Sequence, residues 1–122
     1  MAVKTREEYL AALKKMRPNI YKFGELIEDV TTHPATKRTV ESHARAFDAA
    51  NDPELQKMYT TTSIFTGEKI QRWNSMMQDH GALIQNMRFK RQNYRRTGTC
   101  TGAVCVGWNA MNVLWAVTQD MD

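Results

Sequence analysis

The sequence predicts a mainly α-helical domain with a small β-hairpin near residues 20–28. Three observations support that expectation. Apolar residues recur at three- and four-residue steps through most of the chain, the spacing that lines one helix face. Thr5 and Glu8 form a capping-box pair just before the first of these runs. Gly24-Glu25 separates two short apolar runs, the pattern of a tight hairpin.

The first helix opens with Thr5 as N-cap and carries Tyr9, Leu10, Leu13 and Met16 at helical spacing. Pro18 ends it, because proline disfavours helical geometry in the residue before it. Ile20-Tyr21-Lys22-Phe23 and Leu26-Ile27 are the hairpin arms. An isolated hairpin is marginal in water, so this one must lie against helices or another part of the protein. Thr31-Thr32-His33-Pro34 reads as the start of a second helix, with Pro34 at its first position. Val40, Ala44, Phe47 and Ala50 form that helix's inward stripe. Asn51-Asp52-Pro53 breaks it and begins a short helix through Leu55 and Met58.

Thr60 to Ser63 reads as a polar connector. Ile64, Phe65, Ile70, Trp73 and Met77 then suggest a further helix over residues 64–77. Another is expected from Gly81 to Tyr94, with Leu83, Ile84 and Met87 inward, and Arg95-Arg96-Thr97-Gly98 turns the chain. Residues from about Thr101 to Val117 are apolar enough for a buried, central helix. The three tryptophans and eight methionines read mainly as core packing, where methionine fills irregular gaps.

At 122 residues the chain is one domain at most, expected to span residues 1–122. No apolar run reaches the roughly 18 residues of a membrane span, and the longest, Ala103 to Val117, is broken by Gly107, Asn109 and Asn112. The N-terminus lacks the apolar stretch of a secretory signal, so a cytoplasmic location is expected. The C-terminus carries no helix-capping glycine, and the abrupt stop suggests a fragment or one half of a split protein.

Net charge is +4, with the basic excess at Arg88, Lys90, Arg91, Arg95 and Arg96. Such a patch attracts phosphates, on coenzyme A or on a nucleic acid. The alternative is a solvated helix face or a contact to an acidic partner, and nucleic acid is the weaker partner. No glycine-rich nucleotide loop, P-loop, serine nucleophile elbow or zinc-finger spacing occurs. His33 reads as a capping or packing residue, and His43 and His80 lack metal-site spacing. Asp29 with Glu25 and Glu28 reads as a solvated acidic face.

Cys100 and Cys105 are the main candidates for chemistry. In a reducing compartment they are thiols or metal ligands rather than a structural disulfide. Thiolates are the ligands of iron–sulfur clusters, but two alone leave a four-ligand site incomplete. On a regular helix, residues five apart point about 140° from one another. Both thiolates reach one cluster only if Cys100 lies in a turn before the helix, which Gly98 and Gly102 permit, or if the helix is distorted there. Otherwise the thiols pack as small apolar groups.

Two segments carry a family resemblance. Residues 21–35, from Tyr21-Lys22-Phe23-Gly24 to Thr31-Thr32-His33-Pro34-Ala35, resemble the N-terminal region of one flavoprotein family. That family holds 4-hydroxyphenylacetate 3-hydroxylase and 4-hydroxybutyryl-CoA dehydratase. Residues 98–112, from Gly98-Thr99-Cys100 through Cys105-Val106-Gly107-Trp108 to Asn112, are closer to the dehydratase branch. The resemblance extends from about Thr5 to Asp120, and family members are several times longer.

The resemblance implies the helical N-terminal domain of an acyl-CoA dehydrogenase-like fold, in a homotetrameric enzyme holding FAD and a [4Fe-4S] cluster. It implies Cys100 and Cys105 as two cluster ligands, with a histidine and a third cysteine supplied further downstream. In the dehydratase branch three residues separate the cysteines, whereas Thr101, Gly102, Ala103 and Val104 make four here. Cys105 matches the second ligand, and Thr101 stands where the first is expected. Arg91 and Tyr94 are implied as substrate-side residues, facing an acyl-CoA or a phenolic substrate.

The implied reaction is dehydration of 4-hydroxybutyryl-CoA to crotonyl-CoA, with vinylacetyl-CoA isomerisation. The cluster would act as Lewis acid at the departing hydroxyl and the flavin would handle a one-electron step. The alternative branch is a 4-hydroxyphenylacetate 3-monooxygenase-like phenol hydroxylase, which needs no cluster and receives reduced FAD from a partner reductase. A third possibility is a non-catalytic subunit or interaction module of this family. Taken alone the chain lacks a flavin site and half the implied cluster ligands, and catalysis would need the remainder of the enzyme or a second subunit.

Overall fold

A computed structural model describes residues 3–16, 19–98 and 106–121. Helix α1 (Arg6–Met16) starts as its sequence dictates. The Thr5 N–H donates to Glu8 Oε2 at 2.8 Å, and the Glu8 N–H donates to Thr5 Oγ1 at 3.2 Å. These reciprocal bonds satisfy donors that the first helical turn leaves free. Pro18 lies outside the described residues.

Strands β1 (Ile20–Lys22) and β2 (Glu25–Ile27) pair antiparallel, with Ile20 opposite Ile27 and Lys22 opposite Glu25. Phe23 and Gly24 both have positive φ, 52° and 85°, as a two-residue type I′ turn requires. Ile27 is buried and meets Val30 and Val40 beneath Tyr9, Leu10 and Leu13 of α1. The hairpin thus lies on a helix, as its marginal intrinsic stability demands.

The second helix begins later than expected. Helix α2 spans Lys37–Asn51, and residues 34–36, Pro34 included, form turns before it. Local bonds explain the delay. The His33 carbonyl accepts from the Thr36 and Lys37 N–H groups, and the Ala35 N–H donates to His33 Nδ1 at 3.1 Å. The Thr36 hydroxyl donates back to the Val30 carbonyl at 2.7 Å. Side-chain bonds of this kind compete with the helix ladder. The expected stripe is in place, with Val40, Ala44 and Ala50 buried and Phe47 half-buried. Arg6 on α1 pairs with Glu41 and Asp48 on α2.

The helix expected over residues 64–77 does not form. After the one-turn helix α3 (Gln56–Tyr59), β3 (Thr60–Thr62) pairs antiparallel with β4 (Lys69–Gln71), and a 3₁₀ turn follows over Arg72–Asn74. Thr60-Thr61-Thr62, read as a connector, is β-branched and extends readily. Ser63 Oγ accepts from the Phe65 and Thr66 N–H groups, and Gly67 takes φ 68°. Those bonds fix a turn in which Ile64 and Phe65 face solvent, so their helical spacing is accidental. Arg72 closes the unit by donating to the carbonyls of Lys57, Met58 and Thr60.

Helix α4 (His80–Thr97) is capped by Asp79, whose carboxylate accepts from the Ala82 N–H at 2.7 Å, and ends at left-handed Gly98. Its buried residues are Asn86, Phe89 and Asn93, not Leu83 and Met87, which are exposed; Ile84 is only partly covered. Helix α5 (Trp108–Gln119) buries only Trp108 and Asn112. Among the described residues it is a flanking helix and not the expected central one.

The main core joins Ala46, Ala49 and Ala50 of α2 to Tyr59, Phe89 and Trp108. Phe89 meets Tyr59 edge-on at 5.0 Å, Trp108 edge-on at 5.8 Å and Trp73 stacked at 6.0 Å. Phe89→Ala should therefore cost about 3–5 kcal/mol, the usual range for a fully buried phenylalanine. Urea unfolding followed by circular dichroism measures this, and an unchanged midpoint would contradict the assigned core.

Candidate functional site

The candidate residues gather at the C-terminal half of α4 and the connection that follows. Phe89 and Asn93 face the core, so the intervening positions point outward. Arg91 and Tyr94, three residues apart, lie side by side on this exposed face. Arg88 and Arg95 extend the same face to either side. Among the described residues, no carboxylate pairs with Arg88, Arg91 or Arg95; the ion pairs lie on α1 and α2. Arg91 is free to meet a planar anion with both guanidinium edges.

Cys100 and Cys105 lie outside the described residues, as does Thr101. Both ends of their connection are anchored. On the α4 side, the Gly98 N–H donates to the Tyr94 carbonyl at 2.9 Å, and Gly98 takes φ 69°. That left-handed conformation suits glycine and turns the chain sharply. On the α5 side, Trp108 is buried at 1% exposure and its indole N–H donates to the Ser75 carbonyl. Asn112 accepts from the Met77 N–H at 2.6 Å and donates to the Ser75 and Trp108 carbonyls. Lys90 ties the two helices together, donating to Asn109 Oδ1 at 3.2 Å above the Trp108 ring.

The buried asparagines escaped the sequence reading. Asn86, Asn93 and Asn112 are in helical phase with Phe89 and Trp108, a signal masked by their polarity. Asn93 Oδ1 accepts from the Tyr59 hydroxyl at 3.4 Å, and burial pushes the Tyr59 hydroxyl pKa up. These residues position α4 and α5 from within. Arg72 was also missed; burial lowers its pKa, yet its carbonyl partners keep the guanidinium hydrogen-bonded.

A separate open cleft of about 580 Å³ lies between α1 and the hairpin, lined by Leu13, Lys14, Leu26, Ile27, Glu28 and Asp29 among others. Of the described candidate residues, neither Arg91 nor Tyr94 lines it. Asp29 is more than part of a solvated acidic face. Its carboxylate accepts from the Thr31 hydroxyl at 2.6 Å and the Thr31 N–H at 2.8 Å. The histidines remain local: His43 Nδ1 lies 3.0 Å from the Thr39 carbonyl, and His80 begins α4. Among the described residues, no three of His, Cys, Asp and Glu gather as a metal site, and no helix is long and apolar enough to cross a membrane.

The Thr31 bonds hold the Asp29 carboxyl below its ordinary value of 3.8. A carboxylate with a lowered folded pKa adds stability above its unfolded value, and that stability is lost as pH falls through the folded one. Asp29→Asn should therefore be less stable at neutral pH, and the gap should narrow as pH drops below 3.8. Thermal melts across that range test this; a pH-independent gap would contradict it.

Comparison with known proteins adds an independent line. The family model described as "4-hydroxyphenylacetate 3-hydroxylase N terminal" matches residues 5–122. The chain is 30% identical over 118 residues to 4-hydroxybutyryl-CoA dehydratase/vinylacetyl-CoA-Δ-isomerase of Clostridium aminobutyricum, covering 97% of this chain and 24% of that protein. Its fold superposes on an oxygen-tolerant archaeal 4-hydroxybutyryl-CoA dehydratase from N. maritimus with a TM-score of 0.89, at 26% identity over 99% of this chain and 24% of that one. The oxygenase component of 4-hydroxyphenylacetate 3-monooxygenase, complexed with FAD and 4-hydroxyphenylacetate, superposes with a TM-score of 0.62. That match has 27% identity over 73% of this chain and 19% of that one. The chain thus spans about a quarter of the length of the two dehydratases it matches.

Proposed function

The chain belongs to the 4-hydroxyphenylacetate 3-hydroxylase N-terminal family, and from that premise we propose that residues 1–122 form the helical N-terminal domain of a 4-hydroxybutyryl-CoA dehydratase-like enzyme. One observation carries the choice of branch. The dehydratase superposes on 99% of the chain with a TM-score of 0.89, against 76% and 0.68, or 73% and 0.62, for two structures of the monooxygenase's oxygenase component. The proposed whole is a cytoplasmic homotetramer that converts 4-hydroxybutyryl-CoA to crotonyl-CoA and isomerises vinylacetyl-CoA.

On this reading Cys100 and Cys105 hold a [4Fe-4S] cluster. The donor chemistry fits, since thiolates are the usual ligands of such clusters. Two donors leave the ligand set half complete, and the others come from the remaining polypeptide. The anchored flanks, Gly98 and Trp108, would hold the two thiols' connection in place. When bound, the cluster supplies Lewis-acid polarisation at the departing hydroxyl, and FAD supplies redox capacity.

The chain's own part is binding and orientation. Arg91 would pair a phosphate of the acyl-CoA bidentately. Tyr94, one turn along the same face, would add a hydroxyl and a flat apolar surface. No flavin contact is assigned within residues 1–122.

A monooxygenase-like reading has its own support in the match to the FAD and 4-hydroxyphenylacetate complex. A non-catalytic family module is the third reading. Assaying the native assembly without oxygen separates them. Crotonyl-CoA formed from 4-hydroxybutyryl-CoA is expected; flavin-dependent hydroxylation of 4-hydroxyphenylacetate, or neither activity, would overturn the proposal. In the active assembly, Arg91→Ala should raise KM for the acyl-CoA about 10- to 100-fold, the loss expected for one or two charge-assisted hydrogen bonds. Steady-state kinetics measures this, and an unchanged KM would remove Arg91 from the substrate side.

A further inference from the structure

Five aromatic rings touch in sequence through the domain, and their chemistry alternates. Trp108 meets Phe89 at 5.8 Å, Phe89 meets Trp73 at 6.0 Å, Trp73 meets Phe47 at 5.5 Å, and Phe47 stacks on Tyr9 at 4.6 Å, centroid to centroid. Tryptophan and tyrosine give up an electron far more readily than phenylalanine. Trp108, Trp73 and Tyr9 are therefore three oxidisable stations, each parted from the next by one phenylalanine ring. The two ends differ in ways that give the row a direction. Trp108 is buried, and its indole N–H donates to the Ser75 carbonyl, too weak a base to take the proton. Lys90 Nζ lies 5.8 Å from the centre of the Trp108 ring, so a positive charge on that ring is repelled toward Trp73. Tyr9 is only half-buried, so its phenol can release a proton to water as the electron leaves. Tyr59, the side branch on Phe89, is fully buried with its hydroxyl on the Asn93 amide and has no such exit.

We propose that this row carries oxidising equivalents from the cysteine-bearing end of the domain out to Tyr9. The inference rests on the reading of the chain as part of an enzyme that holds iron, because Trp108 follows Cys105 by three residues and opens α5. The oxidant is of the peroxide class. One electron from reduced iron cleaves the O–O bond of hydrogen peroxide, giving hydroxide and a hydroxyl radical. That radical takes one electron from Trp108 and becomes a second hydroxide. Trp73 then gives an electron to Trp108, and Tyr9 gives one to Trp73 while its phenolic proton passes to water. A small thiol returns a hydrogen atom to the Tyr9 oxygen, and the resulting thiyl radicals pair as a disulfide.

The test gives hydrogen peroxide and a nitrosoalkane spin trap to the native assembly, purified without oxygen. Peptide mass spectrometry should place the trapped radical on Tyr9. Trp73→Phe keeps a ring in place but removes the middle station, so most of the Tyr9 adduct should be lost and oxidised Trp108 should increase. Tyr9→Phe keeps the stacking and should move the oxidation to Trp73. Equal trapping on Tyr9 with and without Trp73 would mean direct attack from solvent and overturn the proposal, as would trapping on Tyr59 in place of Tyr9. Iron content and crotonyl-CoA formation by the same preparation keep the two readings apart. An active, iron-containing assembly whose Tyr9 trapping ignores Trp73 would defeat the row alone. An assembly with neither iron nor activity would defeat the dehydratase reading. Azide radical from pulse radiolysis, which takes one electron from tryptophan, then supplies the charge, and Tyr9 trapping that depends on Trp73 upholds the row.

Discussion

The structure depends on Phe89. Its ring touches Tyr59, Trp73 and Trp108, and Trp73 passes the contact on to Phe47 and Tyr9. One continuous row of aromatic contacts therefore links α1, α2, α3, the 3₁₀ turn, α4 and α5. Each such pair contributes about 0.5–1.5 kcal/mol beyond simple burial. Each large ring covers much area and reaches several neighbours. The small residues Ala46, Ala49 and Ala50 let α2 approach the cluster closely.

That packing also sets up the candidate site. With Phe89 and Asn93 held inward, Arg91 and Tyr94 can only face out. With Trp108 held under Ser75, the start of α5 is fixed, and so is the far end of the cysteine-bearing connection. Core and candidate site thus share the same helices, α4 and α5. The asparagines on the inner faces of α4 and α5 add direction to the fit, since Asn112 has three specific backbone partners. An aliphatic residue there would fill space without fixing the register.

What the sequence made legible was local. The capping box of Thr5 and Glu8, the hairpin at Gly24 and the stripe of α2 all depend on neighbours a few residues apart, whereas the turn expected over residues 95–98 starts only at Gly98, because Arg95, Arg96 and Thr97 continue α4. The β3–β4 pair was hidden because Ile64, Phe65, Ile70, Trp73 and Met77 mimic a helical period, while the turn at Ser63 and Gly67 overrides it. The inward face of α4 was misplaced because asparagines occupy it; apolarity pointed to Leu83 and Met87 instead. Helix α5 looked central because it is apolar, yet among the described residues it buries only Trp108 and Asn112. The family resemblance was legible in residues 21–35 and 98–112, and the family model matches residues 5–122. The roles of Arg91, Tyr94 and the two cysteines are proposals that follow from that membership.

The central claim is that this domain belongs to a cluster-bearing dehydratase-like enzyme rather than to a cluster-free hydroxylase. Metal and flavin analysis of the native assembly, purified without oxygen, tests it most directly. The account predicts roughly four irons for each FAD, the content of one [4Fe-4S] cluster per flavin. FAD with no iron would contradict it and return Cys100 and Cys105 to the role of packed thiols.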